Sequence, residues 1–112
     1  EVELKTLATE SMVAVSSEAA PAFASYLREL CSRAGFRPRI VLEAARAQAV
    51  AVMVAAGSGI ALLPASLARV VGDASAVVPI KKAPLIPHVF ACSSGARSPA
   101  MRHFLSLLKK WR

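Results

Sequence analysis

The sequence predicts an α/β fold, and three observations predict it. Short apolar runs of strand length alternate with longer segments whose apolar residues recur at helical spacing. Glycines and prolines fall at the joints between them. The most apolar stretch, residues 44–68, packs a helix end, a glycine hinge, a strand-length run and a new helix start into one unbroken sequence. A unit this apolar belongs inside a sheet covered by helices.

Taken in order, residues 1–5 alternate charged and apolar side chains as an edge-like lead-in, and residues 7–10 fit one helical turn. Residues 12–15 form a buried strand, and Ser16, Ser17 and Glu18 form the loop at its carboxyl end. Pro21 suits the first helical turn, where a missing N–H costs nothing. Ala20, Phe23, Ala24, Leu27, Leu30, Cys31 and Ala34 make the apolar stripe of that helix. Gly35 ends it, and Phe36 is placed to fold back over the last turn. Residues 40–42 are apolar on both faces, as a parallel strand between helices should be.

Val50, Met53 and Val54 share a face of the next helix, which stops at Gly57. Gly57 and Gly59 are expected to hold backbone angles that resist a side chain. Residues 60–63 read as a strand and Pro64 opens a helix that fades near residues 71–73. Residues 76–80 read as a further strand, with Pro79 arguing for an edge or its end. A proline-bounded connector over 81–87 leads to a final strand over 89–92. Ser98 and Pro99 are a strong helix start, a hydroxyl N-cap followed by Pro at N1. Met101, Phe104, Leu105, Leu108 and Trp111 then recur on one face of the closing helix.

The run Val54-Ala55-Ala56-Gly57-Ser58-Gly59-Ile60-Ala61-Leu62-Leu63-Pro64 resembles a signature of the effector-binding domain of LysR-type transcriptional regulators. Residues 4–15 are similar to the segment that opens the second lobe of that domain, and residues 31–40 to the helix end and strand before the signature. The resemblance covers most of the chain. It implies a three-layer sandwich like one lobe of a type-2 periplasmic binding protein, with a mostly parallel sheet and helices on both faces. It divides the chain into a second lobe, residues 1–87, and a crossover strand with C-terminal helix, residues 88–112, that belongs to the first lobe. The helix-turn-helix and most of the first lobe would lie upstream.

Composition narrows the classes further. The chain has 112 residues, 55% hydrophobic and 19% charged, which excludes a disordered segment and fits one small domain with a natural interface. No charge falls between Arg46 and Arg69, but Gly57, Ser58, Gly59 and Pro64 break any spanning helix, so no membrane partner is expected. No signal-peptide pattern opens the sequence, and two cysteines without close spacing fit a cytoplasmic location. The net charge of +7 concentrates late, in Arg97, Arg102, Lys109, Lys110 and Arg112. With few aromatics and no recognition-helix pattern, this reads as a solvated basic helix face.

Catalytic patterns are missing. Gly57-Ser58-Gly59 has a helix before and a strand after, the reverse of a dinucleotide fingerprint, and it is not a nucleophile elbow. His88 and His103 lack ligand-spaced neighbours, and Cys31 and Cys92 lack a C-x-x-C spacing, so no metal, cofactor or redox pair is expected. Cysteines close in sequence serve some LysR-type sensors of oxidants, and this chain departs from that pattern. The seven carboxylates form no acid/base pair.

Binding is the better reading. In open α/β sheets, ligands sit beyond the carboxyl ends of strands, where loops lead into helix N-termini. The candidates there are Ser16, Ser17, Arg46, Gln48 and Pro64, on loops expected to lie side by side. Arg46 would supply charge and the serines donors; the bland alternative is that Ser17 merely caps its helix and Arg46 points to water. The expected ligand is a small effector, an anion such as a carboxylate. The resemblance implies that its binding between lobes controls DNA contact by the absent N-terminal domain. A solute-binding transport protein and a small enzyme domain are the alternatives. The closing helix, deprived of its lobe, is expected to drive self-association.

Overall fold

The computed structural model describes every residue of the chain except 88, 90, 96, 97, 111 and 112. Its centre is β1, Ser11–Val15, which pairs in parallel with β2, Arg39–Ala44. On its other edge β1 takes a single parallel bridge from Met12 to Ile60. That bridge is closed by the Ile60 N–H donating to the Ser11 carbonyl at 2.9 Å and the Val13 N–H donating to the Ile60 carbonyl at 2.8 Å. The order across the sheet is therefore β2, β1, then the Ile60 segment, all parallel. Met12 and Val13 are buried here, together with Cys31, Val50 and Ala51 from the covering helices.

The helices follow local rules. Helix α1, Pro21–Arg33, has proline in its first turn and brings Ala24, Leu27 and Cys31 against Met12, Val13 and Val15. Its end is a Schellman motif, with the Phe36 N–H on the Cys31 carbonyl at 3.1 Å and the Gly35 N–H on the Ser32 carbonyl at 3.0 Å. Helix α2, Ala47–Ala55, ends the same way: the Ser58 N–H reaches the Met53 carbonyl at 3.1 Å and the Gly57 N–H the Val54 carbonyl at 2.9 Å. Pro64 is the N-cap of a 3-10 turn, Ala65–Leu67, continued by the four-residue α3, Ala68–Val71. Helix α4, Pro99–Lys110, starts as its residues dictate, with the Ser98 hydroxyl accepting from the Met101 N–H at 3.2 Å.

The sheet is narrower than the sequence predicts. Residues 60–63 contribute one bridge and no strand, because the segment leaves β1 on its way to Pro64. Residues 76–80 likewise contribute only Ile80, and Pro79 beside it has no N–H to give a ladder. Of the expected strand over 89–92, Phe90 lies outside the described residues, and Val89, Ala91 and Cys92 are not in a strand. The first helical turn is a 3-10 turn at Leu4–Leu7 rather than at residues 7–10. β2 is not covered on both faces: among the described residues it is an edge strand, and Val41 and Leu42 are exposed.

The lead-in has a definite partner. Val2 bridges Ile80 in parallel, its N–H on the Pro79 carbonyl at 2.9 Å and its carbonyl taking the Lys81 N–H at 2.8 Å. An ion pair between Glu3 and Lys81 at 3.6 Å lies beside this clasp. Beyond it the chain runs out to α4, which has no buried residue, and the radius of gyration reaches 17.2 Å. A compact chain of this size has a radius of about 13 Å. Trp111, on the predicted stripe of α4, lies outside the described residues.

Both glycines of the hinge have positive φ, 85° at Gly57 and 152° at Gly59. They differ in surroundings. A Cβ on Gly57 meets open space, whereas one on Gly59 collides with the Ser11 carbonyl oxygen, the acceptor that fastens the hinge to β1. Gly57→Ala should therefore cost about 1 kcal/mol, from left-handed strain alone. Gly59→Val should cost about 3 kcal/mol or more, since the bond to β1 is disturbed as well. Urea denaturation of the two variants checks this ordering; equal losses would refute it.

Candidate functional site

Parallel pairing decides which loops meet. Val15 lies opposite Ala44 at the carboxyl ends of β1 and β2, and the Ser16 N–H donates to the Ala44 carbonyl at 2.8 Å. The loops holding Ser16 and Ser17, and Arg46 and Gln48, thus abut at one end of the sheet. The parallel bridge at Ile60 sends Leu63 and Pro64 toward the same end. The predicted side-by-side placement is what the structure has.

Inside the loops the bland expectation fails for Ser17 and holds for Arg46. Ser17 does not cap α1; the N-cap is Ala20, which has no side-chain oxygen to offer. The hydroxyl of Ser16 instead accepts from the Ala19 N–H at 3.2 Å, and its carbonyl accepts from the Ala20 N–H at 3.0 Å. Ser17 is left exposed. Arg46 is the N-cap of α2, in extended conformation at φ −134° and ψ 146°, and no side chain caps that helix. Its carbonyl takes the Val50 N–H at 3.2 Å while its guanidinium side is exposed, as is Gln48. Pro64 is half-buried.

The electrostatics of this end follow. Two helices, α1 and α2, begin there without a side-chain cap, so their first-turn N–H groups and positive dipole ends are available to a ligand. Arg46 adds a full charge. Glu18 in the first loop is the opposing charge, exposed and outside any ion pair among the described residues. The main-chain N–H groups at the start of α2 belong largely to alanines, residues 47 and 49 flanking Gln48. A search for chemically distinctive side chains passes over them; the readable signal is a strand end followed by a helix with no Ser, Thr, Asp or Asn at its start.

Other chemistry lies elsewhere. Among the described residues no group of three His, Cys, Asp or Glu is placed to hold a metal ion. Cys31 is fully buried between α1 and the sheet, beside a gap of about 20 Å³ lined by Met12, Val13 and Leu27, room for no more than one water. Cys92 is exposed, and both thiols are free. His88 lies outside the described residues. No helix among the described residues is long and apolar enough to cross a membrane.

Burial pushes the Cys31 thiol above its ordinary pKa, because a thiolate in the apolar core would lose its hydration. The sign follows. Above the unfolded thiol's pKa, at about 8.5, the unfolded chain releases a proton that the folded chain keeps. Stability therefore falls as pH rises through that range, until the folded thiol also ionises. Denaturant midpoints measured from neutral to alkaline pH should decline past that point, and Cys31→Ala should remove this part of the slope while lowering stability throughout. An unchanged slope in the variant would exclude Cys31 as its source.

The profile of the family described as LysR substrate binding domain matches residues 1–112. The chain is 33% identical over 116 residues to the HTH-type transcriptional regulator TfdS of Cupriavidus pinatubonensis (strain JMP 134 / LMG 1197), covering 96% of this chain and 37% of that protein. It is 32% identical to the HTH-type transcriptional regulator TdfR of the same strain, with the same coverage of 96% and 37%. A third relative, the HTH-type transcriptional regulator AlsR of Bacillus subtilis (strain 168), is 37% identical over 65 residues, 58% of this chain and 22% of the relative. The chain spans little more than a third of the length of the first two.

Proposed function

Because the chain belongs to the LysR substrate-binding domain family, and is a ligand-sensing regulatory domain of that kind, we propose that it binds a small anionic effector at the donor-rich end of its sheet. Binding there biases the position of a neighbouring lobe, and through it the DNA contact made by a helix-turn-helix elsewhere in a longer polypeptide. The observation that carries this reading is the meeting of the β1 and β2 loops at two uncapped helix starts, with Arg46 beside them. Ser16, Ser17, Arg46, Gln48 and Pro64 are the proposed contacts, Arg46 as the charge and the main-chain N–H groups of α2 as the donors. A carboxylate suits such a site.

The finer architecture is part of the same proposal. Residues 1–87 act as the second lobe, and residues 88–112 as the crossover and helix of the first. The connection from β1 to β2 and the return past β1 to Ile60 run in opposite directions across the sheet. With right-handed connections this sets α1 and α2 on opposite faces, which supports a three-layer lobe. The relatives are named as transcriptional regulators, which favours regulation over solute transport or catalysis. A regulator of this type works in the cytoplasm.

Titrating the longer protein with a panel of small carboxylic acids by calorimetry tests the site. At least one acid should bind, and Arg46→Ala should weaken it by about ten-fold, the loss of one charge-assisted contact. Binding that ignores Arg46→Ala and also ignores Ser17→Ala would place the effector elsewhere.

Self-association of the chain belongs to this reading too. On α4, Met101 is 40% and Leu107 46% exposed, and Leu105 and Leu108 are half-buried. Exposed apolar side chains of this size lose about 1.5–3 kcal/mol each relative to burial. The chain should therefore associate through α4, more strongly at high salt, where the repulsion of Arg102, Lys109 and Lys110 is screened. Sedimentation over a concentration series should show the association, and a chain cut after Lys82 should be monomeric. A full chain that stays monomeric at every concentration would refute it.

A further inference from the structure

Glu18 stands at the effector end of the sheet and is not among the proposed contacts. The turn that carries it is built by Ser16, whose carbonyl accepts from the Ala20 N–H at 3.0 Å and whose hydroxyl accepts from the Ala19 N–H at 3.2 Å. These two bonds close a tight loop with Ser17 and Glu18 at its crown, both exposed. An exposed glutamate on a turn is by default a hydrated surface group. The position of this one argues for more. The Ser16 N–H is bonded to the Ala44 carbonyl at 2.8 Å, and two residues beyond that junction come Glu18 on one loop and Arg46 on the other.

Opposite charges on abutting loops could close on each other, and these do not. Among the described residues Glu29 pairs with Arg33 and Glu3 with Lys81, while neither Glu18 nor Arg46 is in an ion pair. Each loop is held by its own main-chain bonds, the Ser16 turn on one side and the Val50 N–H on the Arg46 carbonyl at 3.2 Å on the other. Glu43, the neighbouring acid in β2, is placed elsewhere: with Arg28 and Cys31 it lines the gap beneath α1. The effector end therefore presents one carboxylate and one guanidinium on fixed backbones, each without a protein partner among the described residues.

We propose that Glu18 selects the far end of the effector, an acid that carries a hydrogen-bond donor, an amino or hydroxyl group, opposite its carboxylate. This rests on the anionic effector proposed above. Arg46 and the N–H groups of α2 take the carboxylate, and Glu18 takes the donor. A second carboxylate at the far end would meet Glu18 with like charge and gain no bond from it. A donor there turns the same side chain from repulsive to attractive, in the stronger class of hydrogen bond that an ionised acceptor makes. One side chain thus favours the right effector and rejects a diacid, the two halves of specificity.

The test titrates the longer protein by calorimetry with sets of four acids matched in chain length, bearing a methyl, hydroxyl, ammonium or carboxylate group at the far end. In the set that fits, a donor-bearing acid should bind about ten-fold tighter than the methyl acid, and the diacid should bind most weakly. An ammonium acid ahead of the hydroxyl acid marks a cationic donor, and the reverse order a neutral one. Glu18→Gln should remove the advantage of the ammonium acid and bring the diacid to within about two-fold of the methyl acid. Glu18→Lys should make the diacid the tightest of the four. Glu18 is exposed, so circular dichroism should report an unchanged fold for both variants. A diacid that binds tightest to the unsubstituted protein, or an order that neither variant changes, would overturn the role of Glu18 while Arg46→Ala still weakens every acid. If no acid binds, or none responds to Arg46→Ala, the anion site itself falls and the role of Glu18 with it.

Discussion

The two-sided pairing of β1 is the constraint on which the other features depend. Met12 has Ile40 on one edge and Ile60 on the other, and Val13 beside it is 1% exposed. A strand used on both edges buries its backbone, so its N–H and C=O groups must find partners in protein. Parallel hydrogen bonds from two directions provide them. Their direction then fixes where each following loop emerges. If β1 slipped by one residue, Met12 and Val13 would exchange faces and the core would lose its two most buried strand side chains.

This explains which parts of the chain were legible in its sequence. The helix ends were, because each is decided within a few residues: Gly35 with Phe36, Gly57 with Ser58, Ser98 with Pro99. The extent of the sheet was not. A strand exists only where a neighbour pairs with it, and nothing in residues 60–63 or 76–80 declares how long that neighbour remains alongside. Val41 and Leu42 show the same limit from the side of burial. Their apolarity predicts cover on both faces, yet hydrophobic character states what a side chain prefers and not what is present to cover it.

The placement of the candidate site's loops was legible, and the detail within them was not. That its loops meet follows from parallel order, and the order follows from alternating strands and helices. Which serine does what depends on a turn of one residue: the Ser16 hydroxyl closes the loop and Ser17 stands free. At the alanine-rich start of α2 the uncapped groups are main-chain N–H groups, about which residue type says little. An uncapped helix is readable only as an absence of capping side chains, which is a weak mark in a chain so rich in alanine.

The clasp between Val2 and Ile80 has a consequence for the segment it closes. Entry and exit lie side by side, joined by two backbone hydrogen bonds and flanked by the Glu3–Lys81 pair. Everything between them is a closed loop of structure whose two ends are about one strand spacing apart. A host fold can accept such a loop at a single point on its surface without being stretched, as neighbouring termini allow for inserted domains generally. Both connections of residues 2–81 leave from one place, so a turn of this unit about that place would be borne by two short backbone segments rather than by its core.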